Sequence, residues 1–293
     1  MFSDVDNPVE KLNSSLPPEI RVLAMRRVTK GFNCKNNCDS RTYTYLIPTH
    51  AFSPKDDDLK PSQYRIDTAS REKVDECLSK FVGVHNFHNF TSGKKFRDPS
   101  AKRNILSFKM EEPFVREEME FAELRVKGQS FMMHHIRKMI GLTIAIVKGY
   151  TTVDLIDKCW QAGKVDVPKA PGLGLWLETL HYDMYNKRFA KSHDSLDWAD
   201  FQEDIANFKK NYIYPTIIEC EAKERPNISL THFSMIDWLN TLSIHHYDEI
   251  IRDAPEKETE KIDENNTDRD ENETIKDNDI EKIDENIEIA TTE

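Results

Sequence analysis

The stretch that most constrains this chain is residues 128–141, Gly-Gln-Ser-Phe-Met-Met-His-His-Ile-Arg-Lys-Met-Ile-Gly. Met132, Ile136, Met139, Ile140, Thr143 and Val147 recur at the three-and-four spacing of a buried helical face, which predicts a helix that opens here and runs to about Lys148. Arg137 lies off that stripe, yet its one-turn neighbours are Met133 and Gly141, with Ile144 a turn further along. A guanidinium with apolar neighbours cannot shed its charge, so it calls for a carboxylate or phosphate partner; the alternative is a side chain that snorkels its head into water.

The 293 residues are 38% hydrophobic and 10% aromatic, which suffices for one large or two modest globular domains and excludes disorder of the whole chain. A net charge of −11 argues at first against a nucleic-acid partner. Residues 253–293, however, hold 17 acidic and 5 basic residues, a balance of −12 that leaves +1 on residues 1–252 and frees them to present a basic face. Cys34, Cys38, Cys77, Cys159 and Cys220, with no signal peptide, point to free thiols in a reducing intracellular compartment. Cys34 and Cys38 have no second Cys or His pair at metal spacing close by in sequence, so no metal is expected, and no cofactor motif occurs. No apolar run reaches the ~20 residues of a membrane span, so no membrane partner is expected.

Taken in order, residues 20–25 alternate and read as a strand. Tyr43, Tyr45 and Ile47 alternate with Thr42, Thr44 and Leu46 in a second strand ended by Pro48. Residues 51–70 read as a loop, and residues 71–81 as an amphipathic helix with Val74, Leu78 and Phe81 inward and Gly83 closing it. Residues 85–103 are chemically dense: aromatic and imidazole side chains precede Lys94, Lys95, Arg97, Lys102 and Arg103, interrupted by Asp98 alone. Cations over aromatics suit RNA, although two histidines with amides also make a satisfied polar corner, and a charge run also makes a solvated face. Strands are expected over residues 105–110 and 121–126 about an acidic turn at 116–120. Short helices are expected over 154–163, 198–208 and 233–242, and a strand toward Tyr182. Beyond about Ile251 apolar residues thin out, as in a disordered tail.

The stretch 128–141, the run Ser40-Arg41-Thr42-Tyr43-Thr44-Tyr45, the segment 85–103 and the run Ala170-Pro171-Gly172-Leu173 together resemble the TruA-type tRNA pseudouridine synthases in their eukaryotic form, over about residues 15–245. The resemblance implies an α+β fold of pseudouridine-synthase type, a mainly antiparallel sheet with helices packed on one side and helical additions toward the C-terminus. It implies that Arg137 pairs with the catalytic aspartate, that Tyr43 stacks on the target uracil and assists proton transfer, and that Tyr45 is structural. Leu173 is implied to lie against the flipped nucleotide. The segment 85–103 is implied to border the RNA cleft, with His85, His88, Lys94, Lys95, Arg97, Lys102 and Arg103 as its substrate-binding residues. The expected partner is tRNA or another structured RNA, and the expected compartment nucleus or mitochondrion.

One element of the family pattern is missing. The aspartate normally stands in an Arg-Thr-Asp-x-Gly-Val-His segment before the tyrosine strand, and neither Asp39, Asp67 nor Asp268 stands in such a context. Residues 1–50 are therefore expected to be a remnant of the N-terminal synthase half, followed by a C-terminal synthase domain (51–190), a helical extension (191–250) and an acidic tail (251–293). Activity is expected to depend on the missing segment. Two other readings stay open: a non-catalytic RNA binder derived from the synthase, and an interaction protein acting through its tail.

Overall fold

The alternation over residues 40–48 places tyrosine rings on one side of an extended chain and threonines on the other, and a computed structural model shows what each side faces. It describes residues 7–222, 234–247 and 249–251. In chain order the elements are helix α1 (Pro8–Asn13), strand β1 (Ser40–Pro48), helix α2 (Thr68–Lys80), strands β2 (Gly83–Asn86), β3 (Lys102–Met110), β4 (Phe114–Arg116) and β5 (Met119–Gly128), helices α3 (His135–Lys148) and α4 (Asp154–Cys159), strands β6 (Lys164–Val165) and β7 (Leu175–His181), helices α5 (Asp183–Phe189), α6 (Gln202–Phe208), α7 (Tyr214–Ala222) and α8 (Met235–Leu239), and strand β8 (Ile250–Ile251).

Strands β2-β3-β5-β1-β7 line up in that order, with β4 folded back on β5, and every pairing is antiparallel. β1 is bonded on both edges: Tyr43 faces Val126 of β5 and Leu177 of β7, and Tyr45 faces Leu124 and Leu175. The β4–β5 hairpin turns at Glu117 and Glu118, both at positive φ (46° and 65°), the twist that suits a two-residue hairpin. Helices α2 and α3 cover one face, packing Val74, Leu78, Ile136, Met139 and Ile140 with Tyr45, Ile47 and Val126. Each such side chain removed from water contributes roughly 1.5–3 kcal/mol. Helix α7 covers part of the other face, with Ile217 and Ile218 against Leu46 and Phe121. This is the α+β architecture expected. Among the described residues no helix is long and apolar enough to cross a membrane.

Several local expectations are corrected. Residues 20–25 form no strand, and Ile20 is 55% exposed. The amide of Asn13 takes the place of a partner strand, accepting from Val22 N at 2.9 Å and donating to Val22 O at 2.8 Å, so a ladder never starts. The helix expected from residue 128 begins only at His135, because Gly128 still belongs to β5 and His134 adopts φ 62°, a left-handed conformation that cannot continue a right-handed helix. Met132 therefore lies in the preceding loop. Helix α2 starts three residues earlier than expected, at Thr68, because the Asp67 carboxylate accepts from Ser70 N at 2.6 Å and caps it. The helix expected over 154–163 stops at Cys159, and the one over 233–242 is Met235–Leu239, with Phe233 outside the described residues. The expected disordered tail also lies outside them, save Ile251.

One buried group stands out in this core. His135, 1% exposed, sits edge-on to Phe87 with ring centroids 4.3 Å apart, and neither ring nitrogen has a hydrogen-bond partner. Burial, aided by the Arg103 charge, pushes its pKa down to about 3. The folded protein thus keeps this imidazole neutral, while the unfolded chain takes up a proton below its ordinary value of 6.5. Stability therefore falls as pH drops from about 6.5 toward 3. His50, pushed down to about 4 by burial and by Lys148, acts in the same sense. We expect His135→Phe to remove about 2 kcal/mol of the loss between pH 7 and pH 5. Urea unfolding at the two pH values checks this, and equal losses in both proteins would refute it.

Candidate active site

Tyr43 lies where β1 runs beneath the loop that leads into α3. Its half-exposed ring meets Phe131 edge-on, with centroids 5.2 Å apart at 79°. Phe131 can lie so close to the strand because position 128 has no side chain: a Cβ on Gly128 would stand 2.9 Å from Phe131 Cζ. Arg41, two residues from Tyr43 on the same strand, donates from Nη1 to Gln129 O at 2.8 Å and from Nη2 to Lys35 O at 3.1 Å. It ties that loop to the strand. Sequence reasoning gave neither Phe131 nor Arg41 a role, although both stand inside the stretches it singled out.

Arg137 stands in the first turn of α3 and is half-buried. Its carbonyl accepts from Ala170 N at 3.1 Å, and its Nε donates to Ala170 O at 2.7 Å. One residue thus grips another through main chain and side chain together. Burial disfavours the guanidinium charge, and the nearby Tyr45 opposes that effect. Nη1 and Nη2, the fork that would receive a carboxylate or phosphate, have no carboxylate at ion-pair distance among the described residues. Gly172 passes alongside, where a Cβ would sit 3.6 Å from Cζ. Tyr45 is 1% exposed and donates from its hydroxyl to Pro171 O at 2.8 Å; burial drives its pKa up. That is the structural role expected of it. Tyr45 and Arg137 are so joined through one short segment, residues 170–172, and Tyr43 shares strand β1 with Tyr45.

The other expected site residues divide. Leu173 follows Gly172 directly, but its side chain packs with Leu46 and Trp176 in the cluster on the other face of the sheet. The structure does not bring it to the Tyr43 ring. His88 is buried: it is 2% exposed, its Nε2 lies 2.9 Å from Gly163 O, and its ring meets Phe96. His85 is half-buried and stacks on Trp160 at 4.6 Å and 18°. Phe81, Phe87, Phe90 and Trp160 form the floor under this segment. Of the cations, Lys95, Arg97 and Lys102 are exposed, and Lys94 pairs with Asp98 at 3.0 Å. The Arg103 guanidinium folds back onto the carbonyls of Ser100 and Lys102, so it braces the loop. Among the described residues no three His, Cys, Asp or Glu side chains are grouped to hold a metal, and Cys38 donates to Ser40 O.

Comparison with known proteins falls on this geometry. A family model described as tRNA pseudouridine synthase matches residues 78–183, which span Arg137, Ala170 and the cationic segment. The chain belongs to the tRNA pseudouridine synthase family. It is 53% identical over 245 residues to the human protein named pseudouridylate synthase 1 homolog, a match that takes in 83% of this chain and 56% of that protein. The mouse counterpart is 51% identical over the same shares. The Candida glabrata tRNA pseudouridine synthase 1 is 30% identical over 314 residues, 80% of this chain and 57% of that protein. The chain spans a little over half the length of these relatives.

The clasp between Arg137 and Ala170 depends on how closely α3 approaches the strap before it. A Cβ on Gly141 would lie 2.3 Å from Pro168 O, a backbone atom that cannot swing aside. We expect Gly141→Ala to destabilise the fold by about 1–3 kcal/mol. Thermal unfolding followed by circular dichroism would show the loss, and an unchanged midpoint would mean that the strap is loose.

Proposed function

We propose that this chain supplies the arginine, the tyrosine and the RNA-binding face of an enzyme that isomerises uridine to pseudouridine in tRNA. The observation that carries the reading is the Arg137 fork: half-buried, held through Nε by Ala170 O, and aimed without a carboxylate partner among the described residues. A desolvated cation so placed favours the ionised form of an aspartate brought beside it.

The reaction breaks the bond from uracil N1 to C1′, turns the base, and forms a bond from C5 to C1′. The C5 hydrogen leaves as a proton and N1 gains one, so no electrons or other groups are exchanged. An aspartate attacks the nucleoside or stabilises the cationic sugar, and Arg137 holds that aspartate ionised. The half-exposed Tyr43 ring offers a face to the extruded base, with Phe131 supporting it from the edge. The coverage of the relatives and the absence of an Arg-Thr-Asp context support an aspartate supplied from outside residues 1–293. Five free thiols suit the reducing interior of nucleus or mitochondrion.

Tritium release from tRNA labelled at uridine C5 tests this. The 293-residue chain alone should release none, and fusion to the aspartate-bearing segment of a relative should restore release. Arg137→Ala in the fusion should then lower the rate by at least about 100-fold, in keeping with loss of a group that stabilises charge in the reaction. Release unaffected by that substitution would refute the role of Arg137.

A further inference from the structure

The cations expected from sequence to touch RNA lie in residues 94–103, at a distance along the chain from Arg137. The structure supplies what lies between. Asn89, five residues ahead of that segment in the chain, is bolted to the strap 163–170 and to the end of α4: its amide donates to Gly163 O and to Cys159 O at 3.1 Å each, and its Oδ1 accepts from Val165 N at 3.1 Å. The strap turns Val165, Val167 and Pro168 inward and leaves Lys164 and Lys169 exposed. Lys138, next to Arg137 on α3, reaches between them and donates from Nζ to Asn89 O at 3.1 Å. Ala170 is clasped to Arg137, which fixes Lys169 at the first turn of α3 beside His134.

These charges are close enough to resist one another. Burial first, and then Lys164 and Lys169, push the Lys138 pKa down to about 8 against the pull of Asp166. Burial, then Lys169, Arg137 and Lys138 lower that of His134. Asp166, the one acid on the strap, is engaged by His245 Nδ1 at 2.8 Å. No carboxylate lies at ion-pair distance from Lys138, Lys164 or Lys169 among the described residues. Three lysines gathered around one acid, none of them at ion-pair distance from it, suit a polyanion.

We propose that Lys164, Lys138 and Lys169 form a phosphate track that carries the sugar–phosphate backbone of the RNA from the segment 94–103 to Arg137. Lys164 and Lys169 hold successive phosphates at the two ends of the strap. Lys138, anchored to Asn89 O, sets the potential between them. The backbone is thereby led past Arg137 with one nucleotide presented to Tyr43. The track rests on the RNA-modifying reading above and adds residues that it does not use.

The test uses the full 293-residue chain and a tRNA transcript, with affinity measured by fluorescence anisotropy over a salt series. Lys164→Gln/Lys169→Gln removes two exposed charges and leaves the core untouched. Lys109→Gln/Arg116→Gln removes two from the opposite face of the sheet and serves as the control. With two phosphate contacts gone, the slope of log affinity against log salt should fall by about 1.5 and the affinity at 0.1 M salt by tenfold or more, while the control stays within about twofold of wild type. Binding by the wild type with an unchanged slope in the track variant, or with equal losses in both variants, would overturn the track and leave the broader reading standing. Failure of the wild type to bind tRNA at all would overturn that broader reading for this chain, and the track with it.

Discussion

A guanidinium that sits half out of water must have its charge met, and most of the architecture around Arg137 serves to hold it while leaving its fork open. Two hydrogen bonds to Ala170 fix the side chain at Nε and the helix at its carbonyl. They work only if the strap before Ala170 lies flush against α3, which the missing side chain at Gly141 permits. The same segment receives the Tyr45 hydroxyl at Pro171 O, which locks it to the central strand. Arginine position, strap and tyrosine strand thus form one mechanical unit, and a change in any of them is felt by the other two.

Much of this was legible in the amino-acid order, for reasons that can be named. Alternation over residues 42–47 found β1 because a strand bonded on both edges and buried on both faces has little freedom to depart from period two. The spacing of Ile136, Met139, Ile140 and Val147 found the core face of α3. Where that spacing was extended back to Met132 it failed, since periodicity says nothing of a left-handed residue at 134. Alternation at residues 20–25 failed for a different reason: a strand is a property of two segments, and the partner there is an asparagine side chain. Roles at the site were harder still. His88 was a candidate on paper and Lys138 was not, yet the first is spent on a glycine carbonyl and the second stands in a crowd of cations, a distinction that only tertiary contacts make.

The segment 85–103 shows how the fold combines two demands on one stretch. Its first half is an aromatic cluster with Trp160 at the centre, touched by Phe81, Phe87, Phe90 and His85. Its second half is tied to the first by Asn86, which donates to Phe96 O at 2.6 Å, and is braced from within by Arg103 and by the Lys94–Asp98 pair. A rigid base lets flexible, hydrated lysine and arginine side chains hold an average position from which a phosphate can be met with less loss of freedom. His135 is the misfit at the base of this cluster, a polar ring kept dry without a partner.

The asparagine that stands in for a strand beside Val22 has a counterpart in how the chain breathes. From Leu23 to Val28 no backbone N–H finds an acceptor among the described residues, whereas β1 is laced to neighbours along both edges. In heavy water the first segment would trade its amide protons as an open chain does, and β1 would keep them until the domain opens as a whole. Local stability in this molecule therefore rises steeply within some twenty residues along the chain, from a solvated approach to its least yielding strand.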